Sequence, residues 1–174
     1  FQVTKALGMG LDENLDLIYD SVAYLKDLGF EVFLDAEHFF DGNKANSDYS
    51  FRCIEKAVEA GVDMVVLCDT NGGTLPSEVF KITNNVTSNI KAPIGAHFHN
   101  DTGVAVANSM FAVDAGAVSV QGTVNGYGER CGNCDLMTFI PNAVIKMGYK
   151  CSSGEALQHI TEVSRFVSEI ANLH

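Results

Sequence analysis

Positive charge is scarce in this sequence. Eleven Lys and Arg stand against 22 Asp and Glu, a formal net charge of −11. Partners that need clustered cations, nucleic acid and anionic membrane surfaces, are therefore excluded as the main business of the chain. No apolar run approaches the roughly 18 residues of a membrane span. The opening Phe1-Gln2-Val3-Thr4-Lys5 lacks the charged-then-apolar layout of a signal peptide. No linker rich in Pro, Gly or Ser and no low-complexity segment interrupts the chain. An initiator Met is also missing, which leads us to expect a piece of a longer protein. The five cysteines, Cys53, Cys68, Cys131, Cys134 and Cys151, are an odd number. A core of this size does not need disulfides, so reduced thiols in a cytoplasmic protein are expected.

Apolar types make up 47% of the 174 residues, enough to offset chain entropy and exclude disorder. Four strand-like runs recur about every thirty residues: Glu31–Asp35, Asp63–Cys68, Pro93–Phe98 and Val118–Gly122, with a weaker candidate at Phe1–Val3. Their short, β-branched character suits strands buried on both faces. Between them, apolar residues repeat every three or four positions, predicting helices over Leu11–Leu28, Ser47–Ala60, Pro76 to about Ser88 and Thr102–Ala115. A last helical stretch is predicted from about Gly154 to Leu173. Three of these helices end on the same text, an apolar pair around a glycine (Gly29, Gly61, Gly116) followed by a strand. This βα rhythm admits a doubly wound sheet or a (βα)₈ barrel. A whole barrel needs about 250 residues, so four units supply about half of one.

Polar residues gather where each strand ends. The four clusters are Asp35-Ala36-Glu37-His38, Asp69-Thr70-Asn71-Gly72-Gly73, His97-Phe98-His99-Asn100-Asp101 and the stretch Gly122–Asn133. Parallel α/β proteins bind ligands outside the carboxyl ends of their strands, so the four clusters mark one site. His97 and His99, two apart on a strand, share a face and can aim at one divalent ion, unless one is simply a packed core histidine. Asp35 and Glu37 also share a face. Either carboxylate could act as a general base, or cap a helix or lie in solvent. Thr70 and Asn71 offer a hydroxyl and an amide to a substrate, against ordinary turn chemistry beside Gly72-Gly73. Cys131-Gly132-Asn133-Cys134 has redox spacing, but a late position in a βα array argues against that use.

Taken together, DAEHFFDG, CDTNGGTLP, HFHND and GTVNGYGERCGN resemble the acyl-CoA-dependent Claisen-condensing branch of the metal-dependent barrel enzymes. That branch holds the 2-isopropylmalate, homocitrate and citramalate synthases, with hydroxymethylglutaryl-CoA lyase as a cousin. The resemblance spans roughly Val3 to Tyr149, and DAEHFFDGNKAN with the cysteine in GERCGN looks most like the citramalate synthases. It implies a (βα)₈ barrel that condenses acetyl-CoA with a 2-keto acid, pyruvate in the citramalate branch. It implies a divalent metal (Mg, Mn or Zn) on His97 and His99, with Asn133 at or beside it and Glu129 close by. Thr70 then matches the threonine that bonds the keto-acid carboxylate, with Asp69 and Asn71 beside it as substrate-binding candidates. Glu37, or Asp35 in its place, belongs to acetyl-CoA activation.

The branch's Arg-Asp-Gly text, which carries another metal ligand, occurs nowhere in these 174 residues. The sequence therefore reads as the second half of the barrel, residues 1–150, followed by a helical extension over residues 151–174. An isolated half is expected to be inactive and to self-associate as a homo-oligomer through its uncovered sheet edges. Other readings stay open: a 2-isopropylmalate or homocitrate synthase, a non-catalytic metal-binding or assembly module, and a CGNC oxidoreductase.

Overall fold

The computed structural model describes residues 1–151 and 155–173. Its centre is a four-stranded, wholly parallel sheet in sequence order. The strands are β1 (Phe33–Ala36), β2 (Met64–Asp69), β3 (Ile94–Phe98) and β4 (Ser119–Gln121). Before β1 lies α1 (Leu11–Asp27). The first crossover carries α2 (Phe39–Ala45) and α3 (Ser47–Glu59), the second α4 (Pro76–Asn89) and the third α5 (Ala105–Asp114). After β4 come α6 (Leu136–Pro141) and α7 (Ile160–Ala171).

Local chemistry sets these limits. The Asn46 side chain accepts from the Tyr49 N–H at 3.1 Å and starts α3. Pro76 opens α4, where its missing N–H costs nothing. At the other ends, Gly29, Gly61 and Gly116 all have φ between +81° and +100°. Each lets the chain double back so that the next N–H reaches the last turn, as Val62 does to Ala57 at 3.0 Å.

One sheet face is dry. Val65, Leu67, Ile94, Ala96 and Phe98 alternate toward the helices and meet Ile54, Ala57, Val79, Val86 and Ala112 in one cluster. The other set, Asp35, Cys68, His97 and Gln121, therefore points away from the helices. The Gln121 amide donates to Asp35 Oδ1 at 3.1 Å, although β1 and β4 are the two outer strands. In a flat sheet those strands would lie about 14 Å apart. The sheet is curled, as an arc of a barrel must be.

Several predicted limits shift. Phe1–Val3 is no strand: residues Gln2–Ala6 form a wide helical turn, closed by Leu7 N–H to the Gln2 carbonyl at 3.0 Å. The four strands pair only with one another, and no ladder reaches this segment. The helix predicted from Thr102 begins at Ala105, because Gly103, at φ +73°, makes a turn first. Gly154, the predicted start of the last helix, lies outside the described residues; Ala156–His159 form a 3₁₀ turn and α7 follows. That helix docks on the loop after β4. The Asn125 amide donates to the Ser164 carbonyl at 2.9 Å, and the Ser164 hydroxyl donates to Asn125 Oδ1 at 2.6 Å.

Asp63 ties α1 to the sheet. Its Oδ2 accepts from Lys26 Nζ at 2.6 Å and from the Val32 N–H at 2.7 Å. The Lys26 bond, then the Val32 bond, hold its carboxyl below the usual range. A carboxylate depressed in the folded state stabilises fully above its unfolded value of about 3.9 and is lost as pH falls through the lower native value. Asp63→Asn is therefore expected to cost stability near neutral pH, and that cost should shrink to nothing in strong acid. Urea unfolding at both pH values measures this, and an equal cost at both would refute it.

Candidate active site

Register builds the site. Cys68 pairs with His97 and His97 with Gln121 across β2, β3 and β4, so their side chains project abreast from the face away from the helices. His99 follows two residues on, and the Gly122–Asn133 stretch folds back over it. His99 and Asn133 form an isolated backbone bridge, and the Cys134 N–H bonds the Phe98 carbonyl at 3.1 Å. Gly128 is needed here, because a Cβ on it would overlap Asn133 Oδ1.

The two imidazoles meet by their Nε2 atoms, 3.3 Å apart. Asn133 Nδ2 lies 3.2 Å from His97 Nε2. On its far side, His97 Nδ1 is 3.0 Å from Gln121 Oε1. His99 is 8% exposed, and its Nδ1 has no hydrogen-bond partner among the described residues. Burial, and then the neighbouring His97, push the His99 imidazole below its ordinary value, which favours the neutral form that a metal requires.

These residues fit a divalent ion. Two nitrogen ligands at about 2.0–2.1 Å from one ion stand roughly 3.0–3.4 Å apart, close to the 3.3 Å between the two Nε2 atoms. Asn133 stands beside them with its NH₂ toward His97 Nε2, and a half-turn of that amide would bring its oxygen there instead. Among the described residues no group of three His, Cys, Asp or Glu converges in this way, so the donors the chain could offer an ion here are two imidazoles and an amide.

A second cluster lies at the ends of β1 and β2. The Thr70 hydroxyl donates to Glu37 Oε2 at 2.6 Å and accepts from the His38 N–H at 2.8 Å. Asp35 stands on the same face as Glu37 and reaches His97 through Gln121. Cys68, buried among them, has its thiol pushed up, first by burial and then by Glu37 and Asp35.

Two of the predicted site residues stand apart, and a third, Glu129, sits at the rim within reach of the His99 imidazole's charge. Asp69 follows Cys68 in the alternation and turns toward the helix side, where it is buried and accepts from the Thr74 N–H at 2.9 Å. It shapes the loop after β2 and does not reach the Glu37–Thr70 face. Asn71 is exposed and donates to Asp41 of α2. Glu129 accepts from Arg130 at 3.0 Å at the exposed rim.

Two further residues organise the site without having been singled out from the sequence. Arg130 bonds both Asp101 oxygens, at 3.0 and 3.1 Å, and the Thr70 carbonyl at 2.6 Å. It clips three strand-end loops together and holds the Asp101 carboxyl below the usual range. Gln121 bridges Asp35 and His97. Its sequence signal was a lone amide at the end of the short strand Ser119-Val120-Gln121, two positions before Thr123.

The two cysteines of the CGNC run differ in exposure. Cys131 is exposed, Cys134 is buried with its thiol pushed up to about 11, and all five cysteines are free. No helix among the described residues is long and apolar enough to cross a membrane.

A curled parallel sheet, with helices outside and polar groups gathered beyond its strand ends, is an arc of a (βα)₈ barrel. The chain belongs to the HMGL-like family, whose sequence model matches residues 1–167. It is similar to the (R)-citramalate synthase of Sulfolobus acidocaldarius, with 54% identity over 173 residues, 99% of this chain and 33% of that protein. It is less similar to the 2-isopropylmalate synthase of Methanocaldococcus jannaschii, with 36% identity over 93% of this chain and 30% of that one. Among solved structures, the HMG-CoA lyase of Bacillus subtilis superposes with a TM-score of 0.78 at 19% identity, over 98% of this chain and 59% of the other. That likeness is one of fold. The chain spans about a third of the length of the curated relatives it matches.

Proposed function

We propose that this chain is part of a metal-dependent acyltransferase that condenses acetyl-CoA with a 2-keto acid, pyruvate giving citramalate. The observation that carries the proposal is the meeting of His97 Nε2, His99 Nε2 and the Asn133 amide within 3.3 Å at the strand ends of a barrel arc. The similarity to (R)-citramalate synthases over 99% of the chain favours pyruvate over a larger keto acid.

In this reading His97, His99 and Asn133 hold the ion. An ion held there would supply Lewis-acid polarisation of the keto carbonyl. Thr70 orients the keto-acid carboxylate. A hydroxyl has one proton to donate, and Thr70 gives it to Glu37. A substrate carboxylate that takes this donor frees Glu37 Oε2. Glu37, with Asp35 on the same face, can then accept a proton from the acetyl methyl, making the enolate that attacks. Arg130 keeps the loops of Thr70 and Asp101 closed around the reacting groups.

The test is release of CoA thiol from acetyl-CoA, with a panel of 2-keto acids, by the protein that carries this chain within a complete barrel. We expect pyruvate to be preferred, and Glu37→Gln to lower kcat at least about 100-fold. Preference for a branched or dicarboxylic keto acid would move the assignment to a 2-isopropylmalate or homocitrate synthase. Absence of any condensation would leave a metal-binding or assembly module. The 174-residue chain alone is expected to give no citramalate, since the Arg-Asp-Gly text that the resemblance ties to a further metal ligand is absent from it. Its open sheet edges, where Phe33 and Val118 are 48% and 71% exposed, support self-association of that chain. A monodisperse monomer in light scattering at high concentration would contradict the latter.

A further inference from the structure

We infer that Gln121, anchored by Asp35, is a positioning residue that holds His97 in its Nδ1–H tautomer and so presents a bare Nε2 lone pair to the ion site. The inference rests on the metal reading above for its purpose, though not for its geometry.

Asp35 is exposed, and an ionised carboxylate can only accept. The Gln121 atom 3.1 Å from Asp35 Oδ1 is therefore the NH₂ group. That fixes the other end of the amide: its carbonyl oxygen faces His97 Nδ1 at 3.0 Å. An oxygen acceptor there requires a proton on Nδ1, and in a neutral imidazole the remaining nitrogen then carries the lone pair. The groups on the opposite side agree. The Asn133 NH₂ points at His97 Nε2 from 3.2 Å, as it should toward an acceptor. His99 Nε2, at 3.3 Å, can also donate to it while no ion is bound.

His99 has no equivalent arrangement, because its Nδ1 is buried without a partner among the described residues. Of the two imidazoles, only His97 is set in advance. The ordering device reaches across the barrel interior, from the outer strand β4 to the outer strand β1. A ligand imidazole whose second nitrogen bonds an oriented acceptor typically owes about 10–100-fold in metal affinity to that partner.

The experiment uses the metal-free 174-residue chain with ¹⁵N-labelled histidine. Long-range ¹H–¹⁵N spectra report the tautomer of each imidazole, and His97 is identified by its loss in His97→Ala. We expect His97 to be Nδ1–H in the wild type. Gln121→Met keeps the shape and removes both bonds, so it should give mixed tautomers. It should also weaken Mn²⁺ or Zn²⁺ binding by about 10–100-fold in calorimetry. Asp35→Asn, which frees the amide to flip, should act in the same direction, and the double variant should be no worse than Gln121→Met alone. Far-UV circular dichroism checks folding, and Asp35→Asn stands in if Gln121→Met fails to fold. An Nε2–H tautomer in the wild type, or an unchanged tautomer in both variants, overturns the inference. So does unchanged metal affinity in a wild type that binds. If the wild type binds no metal while the tautomer responds as expected, the metal reading fails and the hydrogen-bond lock stands.

Discussion

On the proposed metal reading, replacing His97 and His99 together by alanine is expected to abolish divalent-cation binding, lowering affinity by well over 100-fold. The size follows from the ligand count. Partners one bond removed from a metal already carry about 10–100-fold, and the double variant removes two of the three donors outright, leaving the Asn133 amide. The 3.3 Å between the two Nε2 atoms makes them a single site, so either single variant should cost nearly as much as the double. Calorimetric titration with Mn²⁺ or Zn²⁺ reads this directly. Retained binding in the double variant would place the ion elsewhere. Additive, equal losses from the two single variants would mean that the imidazoles do not share one ion. His97 is partly exposed and His99 is 8% exposed, so the fold should survive with a modest loss. Thermal melting monitored by circular dichroism provides that control.

The helical limits set by glycine were the most legible part of the fold. Each Gly29, Gly61 and Gly116 cap carries its own signal, because positive φ is a local requirement that the residue type announces. The four strands were also legible, to within two residues, from apolar runs. Short α2 was not. Its sequence, FFDGNKA, contains a glycine and reads as loop; Phe39 and Phe40, both buried in the core, hold it as a helix. At the site, His97 and His99 were legible because i and i+2 on a strand share a face wherever the strand sits. Asp69, a candidate because it adjoins Thr70 in sequence, faces the other way, and only the strand's alternation shows that. Gln121 and Arg130 depend on pairings 86 and 60 residues apart. Such pairings exist only once the sheet has curled and the loops have met, and nothing within either residue's own segment encodes them.

Phe98→Ala is expected to be the most damaging single change to stability, at about 3–5 kcal/mol. Phe98 is fully buried, and its ring packs at 5.4 Å against Phe40, which is itself fully buried and stacked edge-on against Phe39. Truncation leaves a cavity between β3 and α2 that neither neighbour can fill. Against a typical domain stability of 5–15 kcal/mol, that loss brings the chain close to unfolding at room temperature. Chemical denaturation should show a lower midpoint with an unchanged slope. Phe98→Leu, which keeps most of the volume, should cost much less. The consequence reaches the site through alternation. Phe98 lies between His97 and His99 and points the opposite way, so the ring that anchors β3 in the core also fixes the pitch at which the two imidazoles leave the sheet. Phe98→Leu should therefore weaken metal binding more than its small loss of stability alone would explain. If affinity and stability instead fall in proportion, the ring serves only the core, and the imidazole geometry must be held from the Gln121 and Asn133 side.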